Sequence, residues 1–98
     1  MDLQSATHED FEPFVKERFR VEAESLAELE LVSVDVRAEH DPSARKRQAF
    51  SLLFRGPKTP VLSQRIYGVS HDSLGQMEIF LVPVGPDDAG MLYEAVFT

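Results

Sequence analysis

The chain has 98 residues, a formal net charge of −7, 43% hydrophobic residues and 28% charged residues. This length fits one domain, and the composition is that of a globular protein, not of a disordered chain. The negative charge argues against a nucleic-acid partner and against an anionic membrane surface, because both would repel it.

Cysteine is absent from the sequence. This excludes a disulfide framework and a thiolate metal site, and it fits a reducing compartment such as the cytoplasm. No apolar run is long enough to cross a bilayer, and residues 1–7 lack the basic and apolar segments of a signal peptide. We therefore expect a soluble, cytoplasmic protein.

The first predicted element is a short helix over about residues 8–17. Thr7 is placed to cap its start, and Phe11 and Phe14 fall on one face at helical spacing. Pro13 lacks the backbone N–H that an uninterrupted helix needs. The pattern predicts a short helix, or two helical turns with a break, that packs its phenylalanines onto a sheet.

Two strands are predicted next, over residues 19–21 and 27–37. In the second, the leucines lie on one face and the following valines lie on a face that is out of phase with them. A phase slip of one residue inside a strand is typical of a β-bulge, here at about Leu31-Val32. A helix over residues 22–30 is the alternative, since Glu, Ala and Leu are good helix formers.

The loop over residues 38–47 ends in the only basic cluster of the chain. One interpretation is a docking patch for an acidic partner, such as residues 22–39 of a second copy. The interpretation that we favour is a solvated loop whose charges protect the adjacent apolar strand from aggregation. The candidate patch consists of Arg45, Lys46, Arg47 and Arg55.

The segment over residues 75–85 is the most apolar run of the chain. Its apolar residues point to both faces from Ile79 onward, so we expect a central strand that is covered on both sides. Pro83 should lie where the ladder has stopped, and Gly68 in the preceding strand suggests a close approach by a bulky neighbour. The remaining strands are predicted over residues 48–55, 64–70 and 91–97.

These patterns predict a mainly β (α+β) fold. We expect a small curved antiparallel sheet or a partly open six-stranded barrel, with the last four strands as a meander and the N-terminal helix plugging one end. Residues 19–21 and 48–54 are the candidate edge strands, and an exposed edge is a natural docking surface.

The sequence offers little that indicates catalysis. His71-Asp72-Ser73 contains the residue types of a hydrolase triad, but triads are assembled from distant positions, and neighbours in a tight turn diverge. No two histidines share a helical turn, so no metal site is predicted, and Asp87-Asp88 are interpreted as solvated turn carboxylates. We expect no enzyme activity, no cofactor and no metal.

Several stretches together resemble one family of small bacterial proteins, which is known as a domain of unknown function. The stretches are Phe50–Pro57, Tyr67 with His71, Leu74-Gly75, Phe80–Pro86 and Tyr93–Phe97. The resemblance covers nearly the whole chain and assigns no catalytic residue. The present sequence differs from this family at Lys16, because the resemblance implies glycine at that position in many relatives. Since relatives lie beside phage-tail-like collar or fibre proteins, it implies an accessory or assembly role.

We therefore predict a non-enzymatic interaction or assembly module that binds a protein partner or self-associates by a strand edge. The alternative is a small-molecule-binding barrel whose mouth is lined by Tyr67, His71 and Tyr93. A filled interior would count against that alternative, and an enclosed polar pocket would support it.

Overall fold

A computed structural model, which describes residues 3–24, 26–36 and 49–98, shows a closed barrel of six antiparallel strands. The predicted mainly β fold is confirmed, and the barrel is closed, not partly open. A short helix α1 (His8–Phe11) and a 3₁₀ helix (Glu12–Phe14) precede the strands. The strands are β1 (Arg18–Glu22), β2 (Leu26–Val36), β3 (Phe50–Gly56), β4 (Arg65–His71), β5 (Gly75–Pro86) and β6 (Met91–Phe97).

The strand order around the barrel is β1-β2-β3-β6-β5-β4. The predicted meander of the last four strands is therefore wrong in one connection, because β3 pairs with β6 and β4 pairs with β1. The segment between β3 and β4 carries Pro57 and Pro60, and proline cannot donate to a ladder. This segment leaves the sheet, so that β4 lies beside β1.

Two long strands bend and thereby close the barrel. Strand β2 pairs first with β1 and then with β3, and its register shifts between Leu31 and Ser33. The predicted bulge at Leu31-Val32 is confirmed. Strand β5 likewise pairs first with β4 and then with β6, and its register shifts between Pro83 and Gly85. Pro83 pairs with Tyr93, so the prediction that the ladder stops before this proline is wrong.

Closure removes the two predicted edge strands. Strand β1 pairs with β2 on one side and with β4 on the other. Strand β3 pairs with β2 and β6 along its length. The expectation that residues 19–21 and 48–54 form edges is therefore wrong for Arg20, Val21 and Phe50–Phe54, which pair with a strand on both sides.

Side chains fill the barrel interior. Phe19 and Phe54 pack edge-to-face with 5.4 Å between their ring centroids. At one end Phe11 of α1 packs against Phe50 and Phe97, each at 5.9 Å, so the N-terminal helix covers that end as predicted. The largest fully buried residues are Tyr93, Phe11, Phe19, Phe50, Phe54, Leu29, Leu31, Leu52, Ile79, Leu81, Val21 and Val69.

Strand β5 is covered on only one face, contrary to prediction. Ile79 and Leu81 point into the core, but Phe80 is 49% exposed on the outside of the barrel. Ile66, directly opposite Phe80 on β4, is 62% exposed. The apolar residues on both faces of β5 do not mean burial on both sides, because no second layer packs on this side of the barrel among the residues described.

The N-terminal element is shorter than predicted and breaks where Pro13 predicts. The α-helix ends at Phe11, and one 3₁₀ turn containing Pro13 follows it. Asp10 accepts a hydrogen bond from the Thr7 N–H at 2.9 Å, which orders the first turn. The alternative of a helix over residues 22–30 is wrong. Among the helices that the structure describes, none has the length and apolarity needed to span a membrane.

Lys16 adopts a left-handed backbone conformation with φ of 80°. Its N–H donates to the Leu31 carbonyl at 2.7 Å, and the Leu31 N–H donates to Glu17 at 3.0 Å. These bonds attach the end of the helical segment to β2 next to the bulge. Since positive φ favours glycine, the left-handed turn explains physically why glycine is the residue expected here.

We predict that Lys16→Gly stabilises the protein by about 1 kcal/mol, because a non-glycine residue in this region is strained. Lys58→Gly is the control: Lys58 is exposed in a turn and lacks positive φ, so this change should be neutral or destabilising. Urea unfolding measures both. Equal effects of the two substitutions would contradict strain at residue 16.

Candidate functional site

A cleft of about 800 Å³ lies between the β1–β2 hairpin and the segment over residues 57–63. We call it the terminal cleft. Tyr67 and Tyr93 line it from the barrel side, and exposed Leu26 and Val61 line it from the hairpin and from the segment. Its size is in the range that binding sites occupy. Its charged lining residues are Arg18, Glu24, Glu28, Glu30, Arg55 and Arg65.

Both tyrosines bind the segment that crosses the end of the barrel. The Tyr67 hydroxyl donates to the Ser63 carbonyl at 2.7 Å, and the Tyr93 hydroxyl accepts from the Leu62 N–H at 2.8 Å. The guanidinium carbon of Arg65 lies 4.6 Å from the centroid of the Tyr67 ring, a cation–π distance. The tyrosines therefore hold one wall of the terminal cleft in place.

His71, the third residue of the predicted pocket, lies elsewhere. It is buried between Phe14 and Phe19, whose ring centroids lie 4.7 Å and 4.6 Å from its own. The terminal cleft does not include it. The structure thus brings Tyr67 and Tyr93 together and separates His71 from both. A ligand pocket at these residues stays a prediction.

The hydrogen bonds of His71 define its tautomer. Nδ1 accepts from the N–H of Ser73 at 3.0 Å and from that of Leu74 at 3.4 Å. Since Nδ1 accepts, Nε2 carries the hydrogen and donates to the Glu17 carboxylate at 2.7 Å. Both ring nitrogens are engaged, so this imidazole offers no lone pair to activate a nucleophile. Its contacts instead join the hairpin between β4 and β5 to the start of β1.

Arg55, a member of the predicted docking patch, is bound within the barrel wall. Its guanidinium donates to Asp87 through Nη2 at 2.7 Å and through Nε at 3.0 Å, and it lies 3.7 Å from Glu30. Arg55 is therefore not free to bind an acidic partner. The other three members, Arg45, Lys46 and Arg47, lie outside the described residues.

Asp87 organises the turn between β5 and β6, so its interpretation as a solvated turn carboxylate is wrong. Its second carboxylate oxygen accepts from the backbone N–H of Ala89 at 2.9 Å and of Gly90 at 2.8 Å. The hydrogen bond from Arg55 is the main cause that lowers the pKa of Asp87, the two backbone hydrogen bonds act in the same direction, and desolvation opposes them. Gly90 packs so closely that a Cβ there would overlap the Gly56 carbonyl.

Within residues 3–24, 26–36 and 49–98, no group of three or more His, Asp or Glu side chains is placed to hold a metal ion. Sequence reasoning missed the two carboxylates with structural roles, Glu17 and Asp87. Their partners lie 54 and 32 residues away along the chain. No local pattern indicates such pairs.

A family model described as a domain of unknown function (DUF6916) matches residues 6–97. The predicted resemblance to a domain of unknown function is thereby confirmed. Comparisons with curated proteins and with solved structures returned no match.

We predict that Asp87→Asn destabilises the protein at neutral pH. The substitution keeps an oxygen that can accept from the Ala89 and Gly90 amides, but it removes the charge that Arg55 binds. Because folding lowers the pKa of Asp87 below its ordinary value of 3.8, the stabilisation is present above that value and is lost as pH falls through the folded pKa. Urea midpoints of wild type and variant should differ at about pH 7 and approach each other as pH falls below the ordinary pKa of an aspartate.

Asp88→Asn is the matched control for Asp87→Asn. Asp88 is the exposed neighbour and forms no ion pair with any residue that the structure describes. The Asp88→Asn substitution should leave the urea midpoint unchanged both at neutral pH and at low pH. A difference between wild type and Asp87→Asn that does not depend on pH would contradict the ion pair.

We predict that His71→Leu costs about 1–3 kcal/mol, because the substitution leaves the part-buried amides of Ser73 and Leu74 without their acceptor. His8→Leu is the control, since His8 also binds a glutamate at 2.7 Å but on the surface, where such a pair is worth about 0–1 kcal/mol. Thermal or urea unfolding measures both. Equal losses of stability in the two variants would show that the burial of His71 contributes nothing beyond a surface ion pair.

Proposed function

The chain belongs to the DUF6916 family of domains of unknown function, and we propose that it is a non-enzymatic interaction module that binds a partner protein on the outside of its barrel. The observation that carries this proposal is the exposed pair of Ile66 and Phe80 on the outer surface of a filled barrel. Single exposed apolar residues are ordinary, but contiguous ones mark binding surfaces.

The exposed pair continues into a strip across three strands. Ile66 of β4 lies directly opposite Phe80 of β5. Val82, two residues further on the same face, lies opposite Glu94 of β6, and exposed Val96 follows Glu94 on that face. We call Ile66, Phe80, Val82 and Val96 the outer strip. Covering a side chain such as Ile or Phe fully is worth about 1.5–3 kcal/mol, so covering this strip would contribute usefully to affinity.

The charges near the outer strip support a partner with basic residues. Glu78 is exposed two residues before Phe80 on the same face, and Glu94 lies beside Val82. The chain as a whole carries a net charge of −7. A second copy would bring like charge to the strip, whereas an apolar surface with a basic rim would be attracted to it. We therefore propose a basic-rimmed protein partner in place of self-association by a strand edge.

The non-enzymatic part of the proposal is supported by His71, whose two ring nitrogens are both engaged. The resemblance to proteins found beside phage-tail-like components supplies the proposed setting, an accessory role in such an assembly. A cytoplasmic location and a bacterial origin belong to the same proposal. The net negative charge supports a partner other than nucleic acid or an anionic membrane.

Small-molecule binding is the second candidate function, and one observation favours it. Tyr67 and Tyr93 line the terminal cleft, which is large enough for a small ligand. The core cluster fills the barrel interior, so a ligand would bind at this outer cleft and not within the barrel. The filled interior is the observation that ranks this candidate below protein binding.

We predict that the double variant Ile66→Ser, Phe80→Ser loses its partner in pull-downs from a host lysate, with at least about a tenfold drop in capture. Loss of the apolar contacts removes the interaction, while folding stays intact because both residues lie outside the core. Val36→Ser is the matched control, since Val36 of β2 is 42% exposed but belongs neither to the outer strip nor to the lining of the terminal cleft. The captured protein should carry a net positive charge.

Two results would overturn this proposal. One is capture of the same protein in equal amount by the double variant with unchanged thermal unfolding. The other is a dimer of the wild type in solution that the double variant abolishes, which would identify a second copy as the occupant of the outer strip. Genes for phage-tail proteins next to this one would support the proposed setting.

A further inference from the structure

The terminal cleft contains hydrogen-bond donors that have no acceptor among the described residues. The Tyr93 hydroxyl accepts from Leu62, but its own hydrogen has no protein acceptor there, although Tyr93 is only 1% exposed. Arg65 stacks on Tyr67 and forms no ion pair within the described part of the chain. A buried donor without a partner is costly, so the Tyr93 hydroxyl suits a ligand that supplies an oxygen acceptor. Arg65 is exposed in the same cleft and adds a second donor.

The opposite wall supplies carboxylate acceptors. Glu24 and Glu28, from the β1–β2 hairpin, line the cleft and form no ion pair with any other residue described. Arg55 and Glu30, which also line it, lie 3.7 Å apart, and Arg55 is bound to Asp87 as well. The available charges are therefore the two carboxylates on the hairpin side, Arg18 at the start of β1 and Arg65 beside the tyrosines.

Two exposed apolar side chains complete the lining. Leu26 at the start of β2 is 67% exposed, and Val61 in the crossing segment is 51% exposed. The segment that carries Val61 is held by the tyrosine hydrogen bonds to Leu62 and Ser63. The apolar surface is thus presented by a wall that is already ordered, which lowers the entropic cost of binding.

We propose that the terminal cleft binds an extended peptide segment that carries a basic side chain. An extended peptide presents backbone carbonyls as acceptors for the Tyr93 hydroxyl and Arg65, and apolar side chains for Leu26 and Val61. A lysine or arginine of the peptide pairs with Glu24 and Glu28, and the net charge of −7 attracts it. This site is separate from the outer strip, so it does not rest on the function proposed there.

The probe is a fluorescent, blocked octapeptide of alternating leucine and lysine, compared with one of alternating leucine and glutamate. We expect the lysine peptide to give saturable anisotropy at concentrations below about 1 mM and to shift the amide resonances of Leu26, Val61 and Leu62 in the full chain. The glutamate peptide should not bind, because Glu24 and Glu28 repel it. Higher salt should weaken binding of the lysine peptide, because salt screens its attraction to the carboxylates.

Three variants separate this site from the outer strip. Tyr93→Phe should lower the affinity for the lysine peptide by roughly tenfold, the effect expected for the loss of one hydrogen bond to a buried donor. Because this change also removes the acceptor of the Leu62 N–H, Glu28→Gln provides a second test with no buried bond at stake, and it should weaken binding several-fold. The double variant Ile66→Ser, Phe80→Ser should bind the peptide as the wild type does.

The proposal is overturned if neither peptide saturates or if both bind equally. It is also overturned if the shifts fall on the outer strip, or if Glu28→Gln and Tyr93→Phe bind the lysine peptide with unchanged affinity. Since the lysate pull-down depends on Ile66 and Phe80, and the peptide test depends on Tyr93 and Glu28, failure of one does not imply failure of the other.

Discussion

Closure of the barrel by two bent strands is the constraint on which the rest of this structure depends. Strands β2 and β5 each pair with one neighbour along their first part and with another along their second, and a register shift marks each change. A bulge bends a strand and increases its twist, which is what a small sheet needs to close on itself. The backbone of Leu31, beside the first bulge, also forms the hydrogen bonds that hold the turn at Lys16.

Closure of the barrel determines which structural roles the aromatic and polar side chains have. With six strands the lumen is narrow enough for side chains to fill it, and phenylalanines and aliphatic residues occupy it. The polar groups that look chemically useful are engaged in holding connections: His71 binds the hairpin that follows it, Asp87 binds its own turn, and the two tyrosines bind the crossing segment. The surface available for binding is therefore the outside of the barrel and its open end.

The two proposed surfaces follow from two different features of this architecture. The outer strip exists because β5 carries apolar residues on both faces while only its inner face meets the core. The terminal cleft exists because the proline-containing segment cannot join the ladder and passes over the barrel end. Both proposed surfaces belong to a chain of net charge −7, which is why the partners proposed for them carry basic residues.

Signals that are local in the sequence predicted this fold well. The phase slip between the leucines and valines of β2 predicted the bulge, Pro13 predicted the break in the first helix, and the mainly β class followed from alternating apolar residues. The bulge, the helix break and the strand alternation each depend on the covalent geometry of neighbouring residues, which the sequence alone determines. The glycine at position 16 was instead implied by the family resemblance, and it matches the left-handed turn there.

Only the tertiary structure decided which strands pair and which faces are covered. Phe80 has the same local pattern whether a second layer packs on it or not, so the pattern alone could not show its exposure. The pairing of β3 with β6, the ion pair of Arg55 with Asp87 and the contact of His71 with Glu17 join residues far apart along the chain. These contacts depend on how the whole chain closes, and no short stretch of sequence contains that information.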